Sequence, residues 1–198
     1  MENNDWYLKE TNQYNDTIAL WITDSLIYKT DSIRMEINYV RTDSANRNFL
    51  YTDTIRFTYR APREKRSTSS KEKEKEEQII RFLGLQHNIQ SNHEIYQPIR
   101  LEFEQPIINF DSAYIKLFIE KDSVFEPVNY RIIKDTLNIR KYELRPRWEP
   151  GGKYRFMVDS AAFRSYYGLW NNKIDQNFTV KSLEQYGNLL IIMYGLPE

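Results

Sequence analysis

Apolar and polar residues alternate along several short stretches of the chain. In the first sixty residues this period of two is clear at 18–22, 33–39 and 55–59, and a weaker stretch begins at 6–8. A half-buried strand needs this pattern, because successive side chains point to opposite faces of a sheet. Three good strands do not close a sandwich, so we expect residues 1–60 to form a partial N-terminal β-domain.

The alternation returns at residue 79 and continues far enough for a complete domain. Seven strands are predicted, at 79–85, 99–103, 115–119, 130–133, 137–148, 153–158 and 178–180. Seven short strands within about a hundred residues are typical of an immunoglobulin-like (Ig-like) sandwich. We therefore expect an all-β fold, with a complete Ig-like β-sandwich at 79–182.

Turn-forming residues recur in a fixed order along the chain. Nine of the eleven aspartates are followed at once by Ser or Thr and then by an aliphatic residue. They are Asp16, Asp24, Asp31, Asp43, Asp53, Asp111, Asp122, Asp135 and Asp159. Asp and Ser side chains bond to nearby backbone amides, and the aliphatic residue opens an alternating stretch. Each triplet therefore predicts a turn that leads into a strand.

A strongly charged segment separates the two β-rich regions. Residues 61–78 contain no apolar residue after Pro62, so they are predicted to form a solvated linker or charged loop. Interleaved Glu residues cancel the charge of the Lys residues there, and 28 basic residues balance 28 acidic residues over the whole chain. No binding of nucleic acid is therefore expected.

The two halves of the chain share a coarse order of motifs. The triplet at Asp16 leads to Trp21, as the triplet at Asp135 leads to Trp148, and two more strands follow in each half. This similarity predicts tandem sandwiches, in which residues 1–60 are the back half of a repeat that begins upstream of this chain.

The C-terminal residues 183–198 follow the predicted sandwich and are expected to start a further β-domain or to form a tail. Their apolar run, 189–194, is about a third of a membrane span, so no transmembrane segment is predicted. The chain has no cysteine, which excludes a disulfide framework, thiol catalysis and Cys-ligated zinc.

Several segments carry a family resemblance. The second half resembles the bacterial Ig-like domain of surface-layer and envelope proteins in its segments GKYRF (152–156), DSAAF (159–163), YGLWN (167–171) and FTV (178–180). More narrowly, WITD (21–24), LEFEQP (101–106) and KSLEQYGNL (181–189) resemble Bacteroidetes-type exported Ig-like lipoproteins of unknown function. These motifs are made of structural residues and imply a fold and an envelope location, not an activity.

The resemblance also implies a location and a modification. It implies an exported protein at the outer membrane, the cell surface or the periplasm of a Gram-negative bacterium, with membrane attachment only through an absent N-terminal anchor. The Asp-Ser/Thr-aliphatic triplet is similar to the acceptor motif for O-glycosylation in the same bacterial group. The hydroxyls that fit this motif are Thr17, Ser25, Ser32, Ser44, Thr54, Ser112, Ser123, Thr136 and Ser160.

The sequence contains no pattern that predicts catalysis. The two histidines, His87 and His93, lie among polar residues of a predicted loop, and no third ligand accompanies them, so no metal site and no cofactor are expected. Glu102 and Glu104 alternate with core residues on one predicted strand, which is typical of solvent-facing charge rather than of a glycosidase pair. No nucleophile elbow or glycine-rich phosphate loop is present. We therefore do not expect an enzyme.

One predicted loop combines aromatic and amide side chains, as sugar-binding sandwiches do. Its candidate ligand-binding residues are Tyr166, Tyr167, Trp170, Asn171 and Asn172. The same residue types also cap the core of an Ig-like sandwich beside a Gly turn. Exposed and coplanar rings of Trp170 and Tyr166 would favour sugar binding, whereas buried rings would favour capping.

The expected function is that of a non-catalytic structural or interaction module in an exported cell-envelope protein. The alternative is a carbohydrate-binding or adhesin module that uses the loop of residues 166–172. The expected partners are a protein or a glycan at the cell envelope. Because an incomplete N-terminal sheet leaves open edges, its edge strands are also expected to pair with a neighbouring chain.

Overall fold

The structure is a computed structural model that describes residues 6–59, 81–187 and 189–190. These residues form strands, turns and a few single-turn helices, which confirms the predicted all-β fold class. They divide into two compact units: 6–9 and 19–59 belong to the first, and 10–18, 81–187 and 189–190 belong to the second. No helix in the described ranges is long and apolar enough to span a membrane.

Two hairpins and one short helix make up the N-terminal range 6–59. They are β1 (Tyr7–Thr11), β2 (Ile18–Ile22), α1 (Ser25–Tyr28), β3 (Ser32–Thr42) and β4 (Asn48–Thr58). Strands β1 and β2 form one two-stranded sheet, and β3 and β4 form another. The sequence predicted β2 within its bounds, but β3 and β4 are each 11 residues long and extend well past the alternating stretches.

Eleven strands lie in the C-terminal residues that the structure describes. They are β5 (Leu85–His87), β6 (Asn92–His93), β7 (Ile99–Phe103), β8 (Ile107–Phe110), β9 (Ile115–Lys121), β10 (Val124–Pro127), β11 (Tyr130–Lys134), β12 (Lys141–Pro146), β13 (Lys153–Val158), β14 (Phe163–Ser165) and β15 (Ile174–Val180). Single 3-10 turns lie at Ser112–Tyr114 and Leu183–Gln185.

These strands form the two sheets of a sandwich. One sheet has the order β10-β9-β13-β15-β6, and the other has the order β11-β12-β7-β5. All neighbours are antiparallel except β15 and β6, which are parallel. A small third sheet pairs β14 with β8.

Alternate side chains from both sheets meet in one core. In β7 the buried residues are Ile99, Leu101 and Phe103, and in β13 they are Tyr154, Phe156 and Val158. The same period of two holds in β9, β12 and β15. The predicted alternation is thus confirmed where it was strongest, because these strands have another sheet on one side and solvent on the other.

The strands that the sequence missed are short. Strands β6, β8, β10 and β14 have two to four residues, too few for a period of two to be recognised. The predicted strand 137–148 is wrong at its start, because the Asp135 carboxylate accepts hydrogen bonds from the amides of Leu137 and Asn138 and forms a turn there.

Most Asp triplets form the predicted turns. The carboxylates of Asp24, Asp43, Asp111 and Asp135 each accept a hydrogen bond from the amide two residues later. At the turn between β9 and β10, Asp122 and Ser123 have φ of 50° and 67°, which matches a tight hairpin turn. The prediction is wrong at Asp53, which lies inside β4, where the Tyr39 hydroxyl donates to its carboxylate.

The tip of the β1–β2 hairpin, residues 10–18, belongs to the second unit. The buried Glu10 carboxylate accepts from Nε and Nη2 of Arg140, each at 2.9 Å, and Arg140 Nη1 donates to the carbonyl of Phe103 at 3.0 Å. The structure therefore divides the described part of the segment 1–60 between the two units.

Two of the predicted segments lie wholly or mostly outside the described residues. The charged segment 61–78 lies outside the described residues, and so does most of the run 189–194. Leu189 and Leu190 are described, and both are exposed.

The corner between β12 and β13 depends on Tyr154. Its ring is buried, and its hydroxyl accepts a hydrogen bond of 2.8 Å from the amide of Glu149. Burial raises the pKa of this hydroxyl. A Cβ on Gly152 would lie 2.9 Å from Tyr154 Cε2, so only glycine fits between this ring and the turn.

We expect the substitution Tyr154→Phe to lower the free energy of unfolding by about 1 kcal/mol, because the ring stays but the amide of Glu149 loses its partner. Chemical denaturation would measure the change. Tyr114→Phe, at an exposed ring, is the matched control and should change stability by less than about 0.5 kcal/mol. Equal effects of the two substitutions would contradict the role of the Tyr154 hydroxyl.

Candidate functional site

The predicted ligand loop is a compact turn that follows β14. The buried Ser165 organises it: the Ser165 amide donates to the carbonyl of Leu169 at 2.8 Å, and the amide of Leu169 donates back to Ser165 Oγ at 3.1 Å. Gly168 has a φ of +84°, which a residue with a Cβ rarely adopts. The turn therefore has an ordered backbone that depends on Ser165 and Gly168.

Asn171 is a structural residue of this loop, not a ligand-binding one. It is 0% exposed, its Oδ1 accepts from the amide of Phe163 at 2.7 Å, and its Nδ2 donates to the carbonyls of Asp159 and Asn172. Because both ends of the side-chain amide are bonded to backbone groups, Asn171 is not available to a ligand. The sequence predicted that Asn171 forms hydrogen bonds in this loop, but it could not show that its side chain points into the protein.

The other loop residues lie at or near the surface. Trp170 is 40% exposed, Asn172 is exposed, and Tyr166 and Tyr167 are half-buried. No ring stacking between Trp170 and Tyr166 is present in this part of the described chain. The Trp170 backbone bonds to Leu83, where its carbonyl accepts from the Leu83 amide at 2.8 Å. The loop thus presents one indole at the surface rather than a shelf of coplanar rings.

All nine hydroxyl residues of the Asp-Ser/Thr triplets are exposed. Two of these hydroxyls make local hydrogen bonds: Thr17 Oγ1 donates to Asp16 at 3.0 Å, and Ser160 Oγ donates to the carbonyl of Asn171 at 3.3 Å. Thr54 differs from the rest because it lies inside strand β4. Side-chain burial therefore does not hide any of these hydroxyls from a modifying enzyme.

The carboxylates of the sandwich surface form ion pairs. Glu104 lies 2.8 Å from Arg81, and Glu102 lies 3.5 Å from Lys141. A depression of about 390 Å³ that is lined by Tyr96 and Trp148 also contains Glu143, which pairs with Arg100 and Arg145. Within the described residues, no group of three His, Asp or Glu side chains could hold a metal ion.

His93 lies inside the sandwich rather than in a polar loop. It is 1% exposed, and its Nε2 lies 3.1 Å from the carbonyl oxygen of Gln97. The rings of Trp148 and Phe178 contact the imidazole edge-on, with distances between ring centroids of 5.4 and 5.5 Å. Burial lowers the pKa of His93, although the Gln97 carbonyl and the charge of Glu94 oppose this effect. His93 is therefore a buried residue of the core.

The β3–β4 hairpin has an apolar side whose exposure the sequence did not show. On one side of this ribbon lie Ile33, Met35, Ile37 and Tyr39 of β3 and, opposite them, Phe57, Ile55, Asp53 and Tyr51 of β4. Ile37, Tyr39, Tyr51, Ile55 and Phe57 are all exposed. The first unit contains no buried side chain among its described residues. The alternation predicted half-buried strands here, but among the described residues no other element covers the apolar side of the ribbon.

Local contacts give the exposed ribbon a defined surface. The rings of Tyr39 and Tyr51 stack across the strands at 6.2 Å, and the Arg41 guanidinium lies 5.6 Å above the Tyr51 ring. The Tyr39 hydroxyl donates to Asp53 at 2.7 Å, and this hydrogen bond raises the pKa of Tyr39. Each strand pairs only with the other, so one edge of β3 and one edge of β4 lie open in the described structure.

Comparison of the chain with models of known protein families finds no match, and neither does comparison with curated proteins.

We expect Asn171→Ala to lower the free energy of unfolding by about 2–3 kcal/mol, because it leaves the buried amide of Phe163 without a partner and removes one of the two hydrogen bonds that the carbonyl of Asp159 accepts. Asn172→Ala, at the adjacent exposed residue, is the matched control and should cost less than about 0.5 kcal/mol. Urea denaturation of both variants would test this expectation. A small effect at Asn171 would mean that water replaces its amide.

We also expect stability to fall as the pH drops below about 6.5, the ordinary pKa of histidine. The pKa of His93 is lower in the folded state than in the unfolded state, so the unfolded state binds more protons in acid and is favoured there. Urea denaturation at pH 7.5 and pH 5.5 would measure the loss. His93→Gln should reduce this loss. His87→Gln should reduce it less, because desolvation also lowers the pKa of His87 but its side chain stays exposed. An unchanged loss in His93→Gln would contradict this assignment.

Proposed function

We propose that this chain is a non-catalytic structural and interaction module of an exported cell-envelope protein. The observation that carries the proposal is the exposed apolar side of the β3–β4 ribbon. An isolated two-stranded hairpin is at best marginally stable in water, and a large exposed apolar patch marks an interaction site. The partner that we propose for the ribbon is a protein.

The strand order supports an Ig-like assignment for the sandwich. If β5, β7, β9, β11, β12, β13 and β15 are taken as strands A to G, the sheets have the orders A-B-E-D and G-F-C. Strand β10 then extends the second sheet as C′ does in variable-type domains. The Tyr154 hydroxyl that bonds back to Glu149 at the E–F corner matches the tyrosine corner of this fold. Such domains commonly act as spacers and adhesion modules.

The envelope location rests on the family resemblance of the sequence motifs. The proposed O-glycosylation belongs with it, and the exposure of all nine acceptor hydroxyls supports it. Intact-mass measurement of the protein from its native host, followed by peptide mapping, would test it. We expect glycan mass on triplet hydroxyls at turns, such as Ser123, and its loss in Asp122→Ala. An unmodified mass in the native host would refute the modification.

Carbohydrate binding is the second candidate function, and the 40% exposure of Trp170 favours it. A single exposed indole can stack on a pyranose ring, with Asn172 beside it as a hydrogen-bonding amide. Because Asn171 is buried, the candidate site reduces to Trp170 and Asn172, with Tyr166 and Tyr167 at its margin. A glycan array that is positive for the native chain and negative for Trp170→Ala would support this function.

The interaction function predicts that the ribbon contacts a protein in the native envelope. A photo-crosslinking amino acid in place of Phe57, on the apolar side of the ribbon, should give a covalent adduct in intact cells. The same amino acid in place of Ile133, an exposed apolar residue of the sandwich, is the matched control and should give much less. Equal adducts at both positions, or none at Phe57, would contradict the proposal.

A further inference from the structure

The edge of β3 that lies open in the described structure presents a defined set of backbone groups. The amide of Tyr59 donates to the carbonyl of Asp31, and the amide of Asp43 donates to the carbonyl of Arg47. Both bonds lie in the regular β3–β4 register, in which directly opposite residue numbers add to 90. Because hydrogen-bonded and non-hydrogen-bonded pairs alternate, the odd residues of β3 bond to β4. The N–H and C=O groups of the even residues therefore point outward.

The polar side of the same edge carries an unbalanced charge pattern. Arg34 and Glu36 lie side by side at 3.3 Å, and Arg34 also stands directly opposite Arg56 across the ribbon. Like charges that face each other across a pair of strands are destabilising. Glu36 faces Thr54, so the cluster has one positive charge in excess. A further carboxylate next to Arg34 would relieve the repulsion.

A second copy of this chain supplies such a carboxylate in one register. If two β3 edges pair antiparallel about a two-fold axis at Met35, Arg34 lies opposite Glu36 of the second copy, and the reverse pair forms on the other side of the axis. Ile33 then lies opposite Ile37 of the second copy, which keeps the apolar residues on one side. The even residues form the hydrogen-bonded pairs, as their outward backbone groups require.

The neighbouring registers lack this complementarity. If the two-fold axis lay at Glu36, the two Glu36 carboxylates would face each other. If it lay at Arg34, the two Arg34 guanidinium groups would face each other. With the axis at Ile37, Ile33 would lie opposite Arg41 of the second copy. If two β4 edges paired instead, with the axis at Asp53, the two Asp53 carboxylates would face each other.

We propose that two copies of this chain pair through their β3 edges, antiparallel and centred on Met35, to form a continuous four-stranded sheet. This inference rests on the proposed interaction function of the ribbon and names its partner. Four strands with one apolar side meet the requirement for a stable sheet that a lone hairpin does not meet. The paired apolar sides also form one wider, continuous surface.

Charge reversal tests the pairing without altering the apolar side. Analytical ultracentrifugation of the whole chain should show a dimer that dissociates on dilution. Arg34→Glu should raise its dissociation constant about tenfold or more, because two attractive pairs become repulsive. Glu36→Arg should act alike, and the double variant Arg34→Glu/Glu36→Arg should restore the native value to within about threefold, because both pairs re-form with exchanged charges. Arg131→Glu, at an exposed residue of β11, is the control and should leave the constant unchanged.

A symmetric disulfide tests the register. The chain has no cysteine, so Met35→Cys introduces the only thiol. At a non-hydrogen-bonded pair the two Cα atoms lie about 4.5 Å apart, within the range that a disulfide spans. Mild oxidation with oxidised glutathione should link Met35→Cys copies. Ile37→Cys should not link, because its copies would lie four residues out of register, about 14 Å apart.

The results separate this inference from the function on which it rests. A monomer at all concentrations, or a disulfide at position 37 rather than 35, would overturn the β3 pairing. If the crosslinker at Phe57 then still captures a different protein, the interaction function stands and only its partner changes. A dimer that responds to both charge variants, regains affinity in the double variant and links through position 35 would support the proposed pairing.

Discussion

Burial of alternate side chains between two sheets is the constraint on which the sandwich depends. Ile99, Leu101 and Phe103 from one sheet share a core with Tyr154 and Phe156 from the other. Each such side chain contributes about 1.5–3 kcal/mol when it is removed from water, so a shift of register by one residue in any central strand would cost several such terms. Aromatic rings extend this core to the small sheet, where the ring centroids of Phe163 and Phe103 lie 4.6 Å apart.

Polar side chains complete the sandwich where its strands end. A backbone that leaves a sheet carries N–H and C=O groups that need partners when water is excluded. Asn171 and Ser165 supply those partners inside the 163–172 turn, and the Tyr154 hydroxyl supplies one at the β12–β13 corner. These residues resemble functional residues in type, but their hydrogen-bonding groups are used by the fold. This use explains why an amide-rich and aromatic-rich loop offers only a single exposed indole and one amide to a ligand.

The β3–β4 ribbon has the same alternation as the sandwich strands, but within the described part of the chain no second sheet covers its apolar side. Among the described strands its two outer edges are unpaired, and Tyr39 and Phe57 are exposed. A protein surface with these properties favours addition of strands and burial against another polypeptide. The structural and interaction role proposed for the chain follows from this difference between its two units.

Local pattern was sufficient for the strongly alternating strands and for most turns. The strands at 99–103, 115–121 and 153–158 lie where the period of two placed them, because the side chains of a strand alternate whatever surrounds it. The Asp triplets predicted turns because their hydrogen bonds span only two residues. Strands β8 and β14 escaped detection, since they are short and are held by a pairing between distant segments.

The candidate loop was found from its composition, but the burial of Asn171 was not, because its partners Asp159 and Phe163 lie 12 and 8 residues earlier in the chain. The sequence by itself determined which residues alternate and where the chain turns. Only the tertiary structure decided which alternating sides are covered, because burial depends on what lies opposite a strand and not on the strand itself.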